Sequence, residues 1–382
     1  MRRATFSWTP VLNAAFVMYI VAMSAGATYY AYSAAASGKA TASTTNTLPN
    51  GGPFNTPGNL LIADQFNNRV IEVDPQTNQV VWSFGSGNGS LCNPGPGSII
   101  GPNDAERLAD GLTLMAGSGI PPGSPFPPCQ DNRVIIVNQQ GDIVWQYGQA
   151  GVNGSGPGLL DVPVFAIQIP NKDVVIVDQG NNRVIEVNYT TRQVDWSYGP
   201  TSGPGELNSP NAVQQLPNGD FLIADQGNNR VIDVNRSGDL VWQYSTGLNT
   251  TAFASRLPNN DTLIVDSGHS RIVEISSQGS VVWQYSTGNS SSQWTAATSY
   301  PSNAVRLANG ETMITDTTND RIIIINEGGN IVYQYGETGT PGAGSDELNQ
   351  PYSSYAIGDY TGQTVPPGIT TDASTSSTTS SW

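Results

Sequence analysis

The sequence contains few charged residues and a single histidine. Asp, Glu, Lys and Arg make up 12% of the chain, and 15 Lys and Arg stand against 30 Asp and Glu, for a net charge of −15. A nucleic-acid-binding surface needs a basic face, so we expect no nucleic-acid partner. His269 is the one histidine, which argues against catalysis or zinc binding by a set of histidines.

Cysteine is equally scarce. Cys92 and Cys129 are the only two in the chain, too few for the usual zinc site. If the chain is exported to an oxidising compartment, we expect these two cysteines to form one disulfide.

Long apolar runs are absent except near the N-terminus. There, Arg2 and Arg3 precede a largely apolar stretch, Val11 to Ala36. Residues 1–36 fit a cleaved signal peptide, and they are also long enough to form a retained membrane-spanning helix. Both alternatives place the rest of the chain outside the cytoplasm, because basic residues stay inside. We therefore expect an extracellular or cell-surface protein, which is tethered to the membrane if the helix is not cleaved.

Seven Asn-X-Ser/Thr sequons agree with this location if the host glycosylates asparagine. The candidate glycosylation sites are Asn88, Asn153, Asn188, Asn235, Asn249, Asn260 and Asn289. A Ser/Thr-rich composition predicts a linker over residues 37–56 and a tail over residues 364–382.

One repeated motif is abundant. "ADQGNNRVIDV" begins at Ala224, and close copies begin at Ala63, Val177, Val265 and Thr315. Repetition at this spacing is typical of solenoids and propellers, in which each unit buries its apolar face against its neighbour.

A single repeat, residues 211–245, shows what the unit is. Four short segments, either apolar or alternating with period two, are separated by turns that contain Asn, Gly or Pro. This pattern predicts four antiparallel strands joined by tight turns.

Six such repeats follow one another, each marked by an aromatic residue in its fourth strand: Trp82, Trp145, Trp196, Trp242, Trp283 and Tyr333. They lie 41–63 residues apart, close to the length of a propeller blade for most of the chain. The first repeat lacks a first strand, and residues 349–363 match the missing segment. The sequence therefore predicts an all-β six-bladed propeller in which a C-terminal strand completes blade one. An open solenoid would need polar caps, and none is visible.

The repeat resembles that of the NHL-repeat β-propellers over roughly residues 57–363. The resemblance rests on Gly/Pro-rich linkers and on an Asp that is followed five positions later by Arg and an apolar strand: Asp64/Arg69, Asp178/Arg183, Asp225/Arg230, Asp266/Arg271 and Asp316/Arg321. Blade two departs from it, with Gly117 in the place of Asp and an insertion before Arg133. Arylsulfotransferase-like and lyase-like propellers are more distantly similar, but their activities rest on histidines that this chain lacks as a set.

Two interpretations of the repeated side chains stay open. The Asp–Arg pairs either fasten each blade or offer carboxylates to a cation, and we favour the fastener, in which Arg keeps Asp ionised. The fourth-strand aromatics either pack between blades or stack on a sugar, and we favour packing because aromatics bury so much area. His269 replaces an Asn of the repeat, so we expect a neutral substitution.

We predict a binding or recognition propeller with no catalytic chemistry and no cofactor, whose partner is a protein or glycan on one propeller face. The membrane is a partner only through the N-terminal helix. One alternative is a calcium-dependent lyase or hydrolase that acts at the propeller axis, since lactonase-like propellers hold calcium with Asp, Asn and Glu. Another is a structural subunit of a cell or virion surface assembly. The loops between Gly85 and Asp104 and between Gly117 and Asp131 break the repeat, as binding loops often do.

Overall fold

The computed structural model describes residues 54–288 and 299–369. This part of the chain contains six four-stranded antiparallel sheets and no α-helix. The first strands of successive sheets contact one another in a closed ring around an axis. The prediction of an all-β six-bladed propeller is therefore confirmed.

In blades two to six the strands follow one another in chain order from the axis outwards. Blade one differs, because its innermost strand comes from the C-terminal part of the chain. Blade one contains β1 (Leu60–Asp64), β2 (Arg69–Asp74), β3 (Gln79–Gly85) and, innermost, β24 (Pro351–Ala356). Blades two and three contain β4 (Pro102–Arg107), β5 (Thr113–Ile120), β6 (Cys129–Val137), β7 (Ile143–Gly148), and β8 (Pro163–Gln168), β9 (Val174–Asp178), β10 (Arg183–Val187), β11 (Val194–Tyr198). Blades four and five contain β12 (Pro210–Gln215), β13 (Phe221–Asp225), β14 (Arg230–Val234), β15 (Leu240–Tyr244), and β16 (Thr251–Arg256), β17 (Thr262–Asp266), β18 (Arg271–Ile275), β19 (Val281–Ser286). Blade six contains β20 (Asn303–Arg306), β21 (Thr312–Asp316), β22 (Arg321–Ile325) and β23 (Ile331–Tyr335).

Blade one joins the two ends of the described chain. β24 pairs antiparallel with β1, with Leu60 opposite Ala356 and Ile62 opposite Ser354, and the register shifts at the end of the pair. The strand that follows all six repeats thus covers the inner edge of the first, which otherwise exposes unpaired N–H and C=O groups. That its removal unfolds the ring stays a prediction.

The burial pattern explains the strand sequences. Every residue of β1, β9, β13, β17 and β21 is buried, because each sheet packs between two neighbours and has no solvent face. Such strands are mostly apolar up to their final Asp rather than alternating. The outermost strands keep several exposed residues and alternate accordingly.

The predictions for residues 1–36, most of the 37–56 linker, Asn289 and the end of the tail concern positions outside the described residues. Within the described residues, no helix is long and apolar enough to cross a membrane. The packed region extends beyond 57–363 on both sides: Phe54 contacts Trp82, and Thr364 is buried and bonded to the backbone of Gln215.

Candidate functional site

The repeated Asp–Arg pairs hold the linkers between blades. The Arg Nε lies 2.6–2.8 Å from the Asp Oδ2 in all five, and each carboxylate is fully buried: Asp64/Arg69, Asp178/Arg183, Asp225/Arg230, Asp266/Arg271 and Asp316/Arg321. In blade four, Oδ1 of Asp225 accepts the backbone N–H of Asn208, in the linker that enters the blade, at 2.8 Å. Arg230 donates to the carbonyl of Glu206 in the same linker at 2.8 Å. These contacts agree with the fastener interpretation.

The residue just before each Arg ties its blade to the next one. Asn229 has a positive φ of 53°, which Asn tolerates well, and its Oδ1 accepts the N–H of Thr250 in blade five at 2.6 Å. Likewise, Oδ1 of Asn182 in blade three accepts the N–H of Ser209, at the start of blade four, at 2.7 Å. The αL turn residue of the motif therefore acts between blades, and this explains why the motif recurs.

Blade two has the same fastener from a different position. Asp131, two residues before Arg133, bonds to its guanidinium and accepts the N–H of Ile100 at 2.7 Å. A Cβ at Gly117 would lie only 2.7 Å from the Asp131 carboxylate. The Asp131 carboxylate, from the third strand, occupies the space that the second-strand Asp fills in the other blades. Blade two therefore keeps a buried carboxylate beside its Arg, although Gly117 stands where the motif has Asp.

Burial opposes the effect of the arginine on several fastener carboxylates. It raises the pKa of Asp64, Asp131, Asp178 and Asp225, and the nearby Arg lowers that pKa in part. The sequence does not reveal how completely each carboxylate is removed from water, and the expectation that Arg keeps these residues ionised stays a prediction.

His269 occupies the place of a repeat Asn. Its Nδ1 lies 2.9 Å from Oδ2 of Asp266, while in blade four Nδ2 of Asn228 donates to Oδ2 of Asp225 at 2.8 Å. The histidine side chain is 47% exposed. It thus supports the fastener in the way that the Asn residues do.

The fourth-strand tryptophans pack between blades. The Trp145 indole donates to the carbonyl of Tyr189, in the next blade, at 2.9 Å. An Arg of the next blade lies over each ring, 4.6–5.8 Å from the centroid: Arg107 on Trp82, Arg192 on Trp145, Arg236 on Trp196, Arg256 on Trp242 and Arg306 on Trp283. Cation–π contacts of this kind stabilise by about 0.5–2 kcal/mol. This arrangement agrees with the packing interpretation.

The sequence reasoning missed the acidic partners of these arginines. Glu72 lies 2.7 Å from Arg107, and Glu274 lies 2.6 Å from Arg306, each pair between adjacent blades. One signal could have revealed them: Glu72 and Glu274 each stand between two apolar residues in the middle of a third strand. A charge in a strand with no solvent face needs a partner.

Cys92 and Cys129 form the expected disulfide. It joins the loop of residues 86–101 to the end of the 121–128 insertion, and we call this pair the stapled loops. Leu91, beside the disulfide, is 51% exposed. Four prolines of the insertion are exposed as well: Pro122, Pro125, Pro127 and Pro128. Exposed apolar side chains therefore lie on loops that a disulfide links, next to exposed polar residues such as Ser90 and Asn93.

The sequons in the described chain are accessible. Asn88, Asn153, Asn249 and Asn260 are exposed, and Asn188 and Asn235 are half-buried. Their glycosylation stays a prediction.

Aromatic side chains fill much of the axial channel. Tyr352 of blade one donates to Oδ1 of Asn211 in blade four, on the opposite side of the ring, at 2.9 Å. The rings of Phe165 and Phe253, from blades three and five, lie 5.9 Å apart. Side chains that meet across the axis leave no open passage at these levels.

A small cavity remains further along the channel. Asp104, Glu106, Phe165, Phe253 and Ser255 line it, together with Gly362–Thr364, and its volume of about 30 Å³ holds roughly two water molecules. We call it the channel cavity. Residues of blades one to five line it, so the cavity exists only when the ring is assembled.

The two carboxyl groups of the channel cavity have raised pKa values. Oδ1 of Asp104 accepts the Tyr355 hydroxyl at 3.1 Å, and burial raises the pKa of Asp104 to about 7. Glu106 accepts the N–H of Gln168 at 2.9 Å. Burial, and then the charge of Asp104, raise the pKa of Glu106 well above its usual value. No pattern in the sequence indicated these residues, because Asp104 becomes buried, and Glu106 partly buried, only when the ring closes.

The cap segment, residues 357–369, partly covers the cavity and contributes Gly362–Thr364 to its lining. Tyr360 donates to the carbonyl of Arg107 in blade two at 3.0 Å. The backbone N–H of Gln215 in blade four donates to Oγ1 of Thr364 at 2.8 Å. The cap segment thus crosses the channel mouth and binds to blades on both sides of it.

Known proteins share this fold at low sequence identity. A protein of unknown function from Bacteroides caccae is 13% identical, with a TM-score of 0.56 over 78% of this chain and 98% of that chain. A streptogramin B lyase structure is 13% identical, with a TM-score of 0.50 over 75% of this chain and 81% of that chain. At this identity the similarity shows the fold alone.

Sequence comparison assigns the chain to a repeat family. No curated protein matched it. Residues 130–335, more than half of the chain, match the family described as outer membrane protein assembly factor BamB. This match does not test whether the repeats are of the NHL type, which stays a prediction from the motif. The chain therefore belongs to the BamB-like repeat family of β-propellers.

Proposed function

We propose that the chain is an exported propeller that binds a protein partner through the stapled loops and catalyses no reaction. The name of its family describes an assembly factor, and from that name we take only the binding of another protein. The observation that carries the proposal is the exposed apolar surface around Leu91 on a pair of loops that the Cys92–Cys129 disulfide holds together.

Rigid apolar loops favour protein binding for two physical reasons. Exposed apolar groups gain free energy when they are buried. A loop that is already ordered loses less conformational entropy on binding, and the disulfide and the prolines limit the freedom of these loops. Apolar side chains are also exposed on the outer strands, such as Val241 at 56% and the neighbouring Val281 and Val282. They lie in regular strands, and no disulfide-linked loops surround them.

A site-specific photo-crosslinker tests this assignment. It is placed at Leu91 in one variant and at Val241 in another, and the whole chain is expressed in its own host. We expect one discrete crosslinked protein from position 91 that is absent from position 241, and that is lost when an excess of unlabelled protein competes. The same products from both positions, or a glycan and no protein at position 91, would contradict the proposal.

The alternative of an enzyme at the axis has one observation in its favour. Asp104 has a pKa near 7 beside a cavity, and perturbed carboxyls of this kind are typical of general acids and bases. The channel cavity is too small for more than a few atoms, and the cap segment partly covers it. In the described residues no three acidic, histidine or cysteine side chains are placed to hold a metal, so the site fits poorly the roughly six to eight oxygen ligands of calcium.

An activity assay separates the two functions. A panel of lactones, sulfate esters and cyclic depsipeptides is incubated with the protein, with calcium and then with a chelator. Turnover well above background that is lost in Asp104→Asn would replace the binding function by the enzymatic one.

Four further parts of the proposal come from the sequence alone. They are export, glycosylation, the NHL-repeat type and a role in a surface assembly. N-terminal sequencing and the mass of the mature protein test the first two. Mature protein that starts at Met1, lacks glycans and is found in the cytosol would overturn the extracellular assignment.

A further inference from the structure

The channel cavity has acidic walls without a neutralising cation. None of the interactions that shift the pKa of Asp104 or Glu106 involves an Arg or Lys side chain of the described residues. Most other buried carboxylates here are paired with arginine, as the fasteners and the Glu72–Arg107 contact are. Asp104 is buried and Glu106 is partly buried. Carboxyls removed from water without a cation either stay protonated or attract a cation from outside.

An independent polar group points into the same space. Ser255 is 1% exposed and lines the channel cavity. Its hydroxyl has no hydrogen-bond partner within the described part of the chain. A buried hydroxyl without a partner costs about 1–3 kcal/mol, and a ligand in the cavity would remove that cost. The nearby Gly362 leaves this space open, since a Cβ there would lie 3.5 Å from the Ser255 oxygen.

The remaining walls suit a cation that carries carbon. The rings of Phe165 and Phe253 line the cavity, and aromatic faces attract ammonium groups. A volume of about 30 Å³ has room for roughly two water-sized groups, which is the size of a primary ammonium with one methyl group.

We propose that the channel cavity binds one small protonated primary amine, held by Asp104, Glu106 and Ser255 and packed against Phe165 and Phe253. A primary ammonium has three N–H donors, and the cavity offers three acceptor side chains. This site is separate from the stapled loops, so it adds to the proposed protein binding and does not depend on it.

Methylammonium chloride is the probe, and isothermal titration calorimetry of the full chain is the measurement. Tetramethylammonium chloride keeps the ionic strength constant and serves as the size control, since it has no N–H donor and is too large for the cavity. We expect one saturable site for methylammonium with a dissociation constant in about the millimolar range, and no saturable heat for tetramethylammonium.

The affinity should rise with pH while the amine itself stays protonated. A proton on Glu106 or Asp104 competes with the amine, so binding should strengthen from about pH 6 to about pH 8 and release protons. Tyr355 of β24 and Tyr360 of the cap segment are the other titratable groups that face Glu106, and both have pKa values raised above that range.

Three variants locate the site. Glu106→Gln keeps the shape and removes the acid, and should weaken methylammonium binding about tenfold or more, the effect of about 1.4 kcal/mol. Ser255→Ala should weaken it by about threefold or more without loss of thermal stability. Glu337→Gln, at an exposed position, removes the same charge and should leave binding unchanged.

Any of three results would overturn the proposal. The first is the absence of saturable methylammonium binding by a protein that melts cooperatively. The second is binding that Glu106→Gln and Ser255→Ala leave unchanged. The third is tighter binding of Ca²⁺ than of methylammonium at the same site, lost in Glu106→Gln, which would make the cavity a metal site.

Discussion

Asp320 is the one carboxylate in a position where other blades have an amide or a hydroxyl, and its replacement should stabilise the protein. It precedes Arg321 in blade six, as Asn229 precedes Arg230 in blade four. Its Oδ1 accepts the N–H of Gln350, just before β24, at 2.9 Å. Its Oδ2 has no hydrogen-bond partner among the described residues. We expect Asp320→Asn to keep the first contact and to remove the buried charge.

The size and sign of the effect follow from the pKa. Burial, followed by the charges of Asp64 and Asp316, raises the pKa of Asp320 from 3.8 to about 7. Between these values the folded protein keeps a proton that the unfolded chain has lost, so stability falls as the pH rises from about 4 to about 7 and is constant above. At about 1.36 kcal/mol per pH unit, the loss reaches at most about 4 kcal/mol. An unpaired amide N–H in the variant would reduce the gain by about 1–3 kcal/mol.

Urea unfolding at about pH 4 and about pH 8 measures this effect. Asp320→Asn should raise the free energy of unfolding by about 1–4 kcal/mol at the higher pH and by less, or not at all, at the lower one. The matched control is Asp110→Asn, at an exposed position with a positive φ that Asn accepts; it should change little at either pH. An equal gain at both pH values, or a loss at pH 8, would refute the reasoning.

Three further predictions concern the ring and its repeats. Deletion of residues 349–382 should lower the melting temperature of the whole propeller, because it exposes the inner edge of blade one; an unchanged melting temperature would show that closure is dispensable. Serine at both Cys92 and Cys129 should cost about 2–4 kcal/mol of unfolding free energy, and two free thiols in the denatured, unreduced protein would disprove the bond. His269→Asn should change the melting temperature very little, since an Asn side chain can donate to Asp266 as it does in other blades; a marked loss of stability would give the histidine a role of its own.

Local patterns were sufficient to predict the blades. The strands, the tight turns and the number of repeats follow from short-range periodicity, which is why the fold was predictable from residues 211–245 and their copies. The disulfide followed from cysteine number and expected location. The role of Asp131 was not predictable in this way, because the carboxylate comes from another strand and enters the space above Gly117 only after the sheet has formed.

The channel cavity was unpredictable for a similar reason. Asp104 and Glu106 look like ordinary polar residues in a mostly polar strand, and nothing near them in sequence signals burial. Asp104 becomes buried and Glu106 partly buried because the other blades of the ring surround them and because the cap segment returns from the C-terminus to this part of the channel. The partner contacts of Glu72 and Glu274 also depend on which blade becomes the neighbour. Sequence periodicity thus predicts each blade, whereas the sites between blades require the assembled ring.

We propose that recognition occurs on the stapled loops and not in the channel. The most direct test is the affinity of the partner that crosslinks at position 91 for the wild-type protein, for Leu91→Ser and for Glu106→Gln. We predict that Leu91→Ser weakens binding about tenfold, an effect of about 1.4 kcal/mol for an apolar contact at an interface, and that Glu106→Gln leaves it unchanged. The reverse result, with binding lost in Glu106→Gln and kept in Leu91→Ser, would contradict the account.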